Sequence, residues 1–244
     1  MRQITSSMKN LKIGILIADI DEYVIISRWL EKNGAVRKDY YSCMGHYFKT
    51  EDGNEICTVV SGCGTVNAAV GTLYLVNCGC DVIFNTGYSG GIKGVHPGQA
   101  VVGERFIEHD FDLTVLGYKT FEKPGQEYVY FADNALADAA LAAFPKSEKC
   151  IMLSGNRFVS SDSDCEKFGS MFDTGVSCDM ETAAIAYVCC LTGKRFLSVR
   201  LISDGAGDDS KNEYRSSLWS AGTEKFVNII EIALKVIINN ENRG

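Results

Sequence analysis

The sequence predicts an α/β fold, and three observations carry that prediction. Short, nearly continuous apolar runs of strand length recur along the 244 residues, the clearest at Leu11 to Ala18 (LKIGILIA), Asp81 to Thr86 (DVIFNT) and Lys194 to Ser203. Strands covered on both faces read this way, because neither face has to meet water. Between these runs lie longer Ala-rich or amphipathic segments, the alternation expected of helices packed on a sheet. Finally, 46% hydrophobic content, only three prolines and no linker-like stretch predict one large domain with a substantial core. The expected domain is the whole chain, 1–244, with its core at about 11–240 and a polar N-terminal extension at 1–10.

In chain order, Leu11 to Ala18 is the first inner strand and the acidic stretch Asp19-Ile20-Asp21-Glu22 follows its carboxyl end. Tyr23 to Leu30 continues as a helix, which places Glu22 at or near the first turn, where the helix dipole favours an acid. Tyr40 to Thr50 and Glu55 to Ser61 flank the turn Glu51-Asp52-Gly53-Asn54, a hairpin signal. Ser61-Gly62-Cys63-Gly64 then leads into a small-residue helix from Val66 to Cys78. This Gly-x-Gly lacks the third glycine and the acidic partner of a dinucleotide site, and the Lys-Ser/Thr of a P-loop. The strand Asp81 to Thr86 runs into Gly87-Tyr88-Ser89-Gly90-Gly91, which reads either as a tight turn or as backbone lining a pocket.

Gln99 to Ile107 reads as a further strand and His109 to Pro124 as an irregular loop rich in aromatic and aliphatic residues. Such a loop needs a ligand or a second subunit to cover. Asp133 opens an amphipathic helix to Phe144, Ile151 to Ser154 is a short strand, and Cys165 to Phe172 a helix. Thr182 to Leu191 is a buried helix opened by Glu181. Ser216 to Asn239 repeats apolar residues at helical spacing and is expected to pack on the sheet as one closing helix.

Charge and cysteine usage exclude several function classes. A net charge of −7 argues against nucleic acid or a membrane surface as partner, since both select basic faces, and favours a neutral or cationic small molecule. The ten cysteines lie mostly inside apolar runs (Cys57, Cys78, Cys80, Cys189, Cys190), and MRQITSSMKN contains no cleavable signal, so free thiols in a reducing cytoplasm are expected. Neither Cys78-Gly79-Cys80 nor Cys189-Cys190 has zinc-site spacing, and His46, His96 and His109 are scattered. No metal and no cofactor are expected.

The candidate chemistry lies between Ser177 and Asp209. Asp204 ends an inner strand, just where open α/β sheets bind ligands, and Gly205-Ala206-Gly207 lets a ligand approach the backbone. The alternative is structural, with Asp204 capping the next segment and Glu181 favoured by its helix dipole. Glu22 repeats the geometry of Asp204, an acid at the carboxyl edge of a strand.

Glu22 after the first strand, NTGYSGG at 85–91, GNRFV at 155–159, CDMETAAIAYVC at 178–189 and SVRLISDGAG at 198–207 occur in the order of the 5'-methylthioadenosine/S-adenosylhomocysteine nucleosidases. The resemblance, to a family within the purine nucleoside and uridine phosphorylase group, runs from about Lys12 to Asn240. It implies a three-layer αβα fold with a central mixed, partly barrel-like twisted sheet. It also implies a cytoplasmic homodimer that hydrolyses the N-glycosidic bond and releases adenine. By motif, Asp204 would protonate N7 of the leaving adenine, Glu22 would polarise the attacking water, and Glu181 would hold the ribose hydroxyls.

The same resemblance implies that Met180 packs on the sugar and base, that Phe158 and Val159 lie at the base, and that Tyr88, Ser89, Gly90 and Ser203 belong to the pocket. Leu113, Leu116, Tyr118 and Pro124 match a loop that crosses the dimer to cover the 5' group, and Tyr214 matches an aromatic of that pocket. Phosphorylases of the group carry a Gly-Asp-Pro loop with an arginine at strand one; the acids of Ala18-Asp19-Ile20-Asp21-Glu22 would repel phosphate, which points to water as acceptor. Three positions depart from the pattern: Asp19 replaces an apolar methionine, Cys63 an aliphatic residue and Tyr88 a serine, changes that narrow the pocket or favour a more polar 5' group. Alternatives are action on another nucleoside (adenosine, inosine, aminodeoxyfutalosine), by hydrolysis or phosphorolysis, and a nucleoside-binding protein without catalysis.

Overall fold

Alternating buried strands and helices build the chain in a computed structural model that describes residues 10–219 and 222–241. In order these are β1 (Lys12–Ile17), α1 (Ile20–Lys32), β2 (Val36–Arg37), β3 (Gly45–Lys49), β4 (Glu55–Val60), α2 (Thr65–Asn77), β5 (Val82–Asn85) and β6 (Tyr88–Lys93). There follow β7 (Ala100–Glu108), a 3-10 turn at Thr114–Leu116, β8 (Val129–Phe131), α3 (Asn134–Ala143), β9 (Glu148–Ser154) and α4 (Asp162–Gly169). The last elements are β10 (Gly175–Asp179), α5 (Thr182–Thr192), β11 (Arg195–Asp204), α6 (Ser210–Trp219) and α7 (Gly222–Glu241). Of the expected extension at 1–10, residues 1–9 lie outside the described residues, and the exposed Asn10 precedes β1.

The described strands form one mixed sheet in the order β2-β3-β4-β1-β5-β11-β6-β10-β9-β7-β8, with β11 also paired to β7. That extra pairing closes part of the sheet into a barrel, and β11 makes the closure possible by changing neighbours along its length. Its first half, Arg195 to Ser198, runs parallel to β5 in the open sheet. Its second half pairs with β6 at Leu201 to Asp204 and antiparallel with β7 at Val199 to Leu201. A strand paired on both sides and covered on both faces has to be apolar, which is why the sequence reads as a continuous run there. Helices α1, α3 and α7 pack together and α2 packs on α5, so helical layers cover the sheet.

Of the two readings of the glycine stretch, a turn and a pocket lining, the structure carries the second: Tyr88, Ser89 and Gly90 line a cavity, and Tyr88–Lys93 is the strand β6. Its glycines serve close packing, since a Cβ at Gly91 would lie 2.9 Å from Val95 O and one at Gly90 3.1 Å from Asp204 Oδ1. The expected single closing helix is two, α6 and α7, with residues 220 and 221 outside the described set. The helix expected at Cys165 to Phe172 starts three residues earlier, at Asp162, because Ser161 caps it by accepting from Asp164 N. Of the segment Tyr40 to Thr50, Gly45–Lys49 is the strand β3.

The helix starts bring acids to the sheet. Asp19 caps α1, its Oδ1 accepting from Asp21 N at 2.7 Å, so the next turn presents Glu22 toward β6. Glu181 occupies the N-cap position of α5 without capping it, because Asp179 takes that work: its Oδ1 accepts from Glu181 N and Thr182 N. The Glu181 carboxylate is thereby left to face inward.

Candidate active site

A cavity of about 210 Å³ opens at the carboxyl end of β11 and β1 and is lined by Glu22, Glu181 and Asp204. The fold therefore brings together three acids that the sequence separates widely, all at most 5% exposed. Asp19, Cys63, Tyr88, Ser89, Gly90, Phe158, Val159, Met180, Ser203 and Tyr214 of the sequence-based set line the same cavity. Leu113, Leu116, Tyr118 and Pro124 do not. They lie on the loop after β7, where Leu116 is 69% exposed and Tyr118 38%.

Asp204 is held by two donors. Ser203 Oγ donates to Asp204 Oδ2 at 2.6 Å and Ala206 N donates to Oδ1 at 2.8 Å. Ser203 Oγ also lies 3.3 Å from Ser89 O, so when Asp204 is protonated the hydroxyl can turn and donate to that carbonyl instead. Burial pushes Asp204 above the ordinary carboxylate range, against the lowering effect of Ser203 and Ala206. A buried acid held this way is suited to give a proton to a basic atom in the cavity.

Glu22 and Glu181 share the Arg200 guanidinium and backbone donors. Tyr88 N donates to Glu22 Oε1 at 2.8 Å, while Oε2 has no partner among the described residues. Burial pushes Glu22 up to about 7, opposed by the Arg200 guanidinium and the Tyr88 amide. Glu181 Oε1 accepts from Gly64 N at 3.0 Å, and Oε2 accepts from Arg200 Nη2 at 3.1 Å and from Met180 N at 3.3 Å. Burial raises Glu181 as well, again against Arg200. The Gly-x-Gly before α2 thus supplies a backbone donor to a carboxylate rather than to a phosphate.

Arg200 is the member of this network that sequence reasoning missed. It is 1% exposed, and Nη1 donates to Tyr88 O at 3.1 Å. Nη2 lies 3.5 Å from Asp179 Oδ2 as well as against Glu181. Burial works against its charge, but Asp179, Glu181 and Glu22 outweigh that and keep the guanidinium protonated. The available signal was a lone arginine inside the apolar run of β11. Arg157, Asp179, Cys178 and Ala18 also line the cavity without having been singled out. Arg157 is engaged by Asp164 through two 2.8 Å contacts.

The aromatic wall comes from α6 and β6. Tyr214 meets Phe158 edge-on at 5.8 Å and Tyr88 at 6.0 Å, and Tyr88 in turn meets Phe226 of α7 at 4.7 Å. The Tyr88 hydroxyl donates to Ser217 O at 3.1 Å, and Ser217 Oγ donates to Ser203 O at 2.7 Å. The phenol that replaces the expected serine thus ties α6 to the strands beneath it. No group of His, Cys, Asp and Glu with metal-binding geometry occurs among the described residues.

The description "Phosphorylase superfamily" fits a family model matched by residues 12–238. A 5'-methylthioadenosine/S-adenosylhomocysteine nucleosidase of Halalkalibacterium halodurans is 32% identical over 232 residues, covering 93% of this chain and 97% of the relative. The chain belongs to this nucleosidase family within the phosphorylase superfamily. Two solved structures carry the same architecture. The S-adenosylhomocysteine nucleosidase of Streptococcus pyogenes in complex with 5-methylthiotubericidin aligns with TM-score 0.84 and 26% identity, covering 93% of this chain and 98% of that one. The nucleosidase of Neisseria meningitidis in complex with methylthio-immucillin-A aligns with TM-score 0.81 and 26% identity over 92% and 98%.

Proposed function

We propose that this protein hydrolyses the N-glycosidic bond of 5'-methylthioadenosine, S-adenosylhomocysteine or both, releasing adenine and the 5-thioribose product. The single observation that carries the reading is the convergence of buried Glu22, Glu181 and Asp204 on one cavity, Glu22 and Glu181 beside the Arg200 guanidinium and Asp204 held by Ser203 and Ala206. Asp204 donates its proton to N7 of the departing adenine, so the base leaves neutral. Glu22 polarises the attacking water and Glu181 holds the ribose hydroxyls. The oxocarbenium-like sugar that forms between these steps faces Glu22, Glu181 and Asp179 across a single guanidinium, an environment that stabilises positive charge.

Water is the acceptor in this reading because the strand-one end of the cavity carries Asp19 and Glu22. Two carboxylates there disfavour a phosphate dianion. The working form is a cytoplasmic homodimer made of one nucleosidase domain per chain. Exposed Val66, Val70 and Leu73 on one face of α2 supply an apolar surface for it, and the exposed Leu116 and Tyr118 support a loop that covers the neighbouring pocket.

The test follows free adenine from each nucleoside in phosphate-free buffer. Release that does not depend on phosphate is expected, with a free sugar as co-product. A strict need for phosphate with a sugar 1-phosphate product would make the protein a phosphorylase, and bound nucleoside without turnover would make it a binding protein.

A further inference from the structure

We propose that Asp19 selects nucleosides whose 5' group donates a hydrogen bond, a hydroxyl or an ammonium-bearing tail, over those ending in a plain methyl or methylthio group. The inference rests on the nucleosidase reading and names the substrate class within it. Asp19 and Glu22 stand three residues apart at the start of α1, so both side chains lie on the same face and both line the cavity. Their carboxylates differ in commitment. Asp19 Oδ1 is occupied in capping α1, whereas Oδ2 meets only the Cys63 thiol, at 3.9 Å, among the described residues.

A sulfur at that distance is a weak donor, and it brings no charge. Burial, with Glu181 and Asp19, pushes the Cys63 thiol up to about 11, which keeps it neutral. Arg200, deep in the cavity, is engaged with Glu181, Asp179 and Tyr88 O. Asp19 Oδ2 therefore offers an unmatched acceptor to whatever occupies the cavity.

Position decides which part of the nucleoside Asp19 meets. Asp204 at 1% exposure marks the closed end, where the base is protonated, while Asp19 is half-buried and Cys63 exposed at the mouth. The 5' substituent is the part of a nucleoside farthest from the protonated base and nearest the mouth. An apolar 5' group there would strip water from a carboxylate and give nothing back, whereas a donor satisfies it.

The experiment measures kcat/KM for adenosine, 5'-deoxyadenosine, S-adenosylhomocysteine and 5'-methylthioadenosine in the wild type, Asp19→Ser and Asp19→Asn. Serine and asparagine both keep the N-cap, so folding is retained. In Asp19→Ser the adenosine to 5'-deoxyadenosine ratio, or the S-adenosylhomocysteine to 5'-methylthioadenosine ratio, is expected to fall about 10-fold or more, the range of a hydrogen bond to a charged group. Asn separates the two donors: it keeps an acceptor for a hydroxyl but loses the charge that holds an ammonium. Ratios unchanged in Asp19→Ser, or all four substrates altered by one common factor, overturn the proposal. Absence of adenine release from all four overturns the nucleosidase reading instead, and calorimetric binding of the same pairs then decides the role of Asp19 by the same ratios.

Discussion

Arg200 Nη2 lies 3.1 Å from Glu181 Oε2, and both side chains are almost wholly shielded from solvent. A cation buried in this way is held by its partners, with Asp179 Oδ2 3.5 Å away on the other side. Its worth is positional more than energetic, because removing two charges from water offsets much of their attraction. What it fixes is the Glu181 carboxylate, pinned from one side by Gly64 N and from the other by the guanidinium.

Replacing Arg200 with methionine should therefore destabilise the fold strongly. Two buried carboxylates would lose their counter-charge, at a cost of about 3–5 kcal/mol. Urea unfolding of Arg200→Met against wild type measures it. A loss under about 1 kcal/mol would mean that the network relaxes or takes up protons without difficulty.

Asp204→Asn tests the proton donor. The amide keeps the shape and can still hydrogen-bond Ser203 and Ala206, so the melting temperature should stay within a few degrees of wild type. It has no acidic proton, and kcat for adenine release should fall about 10²–10⁴-fold. A near-normal rate would remove Asp204 from the role.

Tyr88→Phe isolates the tie between β6 and α6. The ring contacts with Phe226 and Tyr214 remain, and the hydrogen bond to Ser217 O is lost. Stability should drop by about 1 kcal/mol, the net value of one such bond. Since α6 carries Tyr214, KM should rise more than kcat falls, and steady-state kinetics separate the two.

Glu181 was legible as the residue that opens the Ala-rich run of α5, and Glu22 and Asp204 because each stands where an apolar strand ends, only a buried strand reading as an unbroken apolar run. Arg200 was not, since a long cationic side chain inside such a run gives no indication of its partners, and those lie on β10 and at the start of α5. For Gly87 to Gly91 the local pattern could not choose between a turn and a pocket lining, because glycine signals a turn in local terms. Here it answers a non-local need, the approach of Asp204, Cys178 and Ala206 to within 3.1 Å of a Cβ that Gly90 does not have. Barrel closure was expected only through the family resemblance and not from local pattern, because β11 meets β5, β6 and β7, none of them its neighbour in the chain.

Glu22 gives the pH prediction. Burial raises its carboxyl from 4.5 to about 7, so the folded state holds the proton that the unfolded chain releases. The protonated form's contribution is complete below about pH 4.5 and is lost as pH rises to about 7, beyond which it stays flat. Two and a half units correspond to about 3 kcal/mol by the end of that window. Glu22→Gln carries a permanent stand-in for the neutral acid and escapes this loss. Denaturant unfolding of variant and wild type should give nearly equal stabilities at pH 4.5, with the variant ahead by a few kcal/mol at pH 8. Asp204 and Glu181 are raised in the same direction but remain in both proteins, so the difference between the two curves isolates Glu22. A difference that does not change with pH would mean that Glu22 titrates in the folded protein as it does in the unfolded chain, Arg200 and the Tyr88 amide offsetting burial.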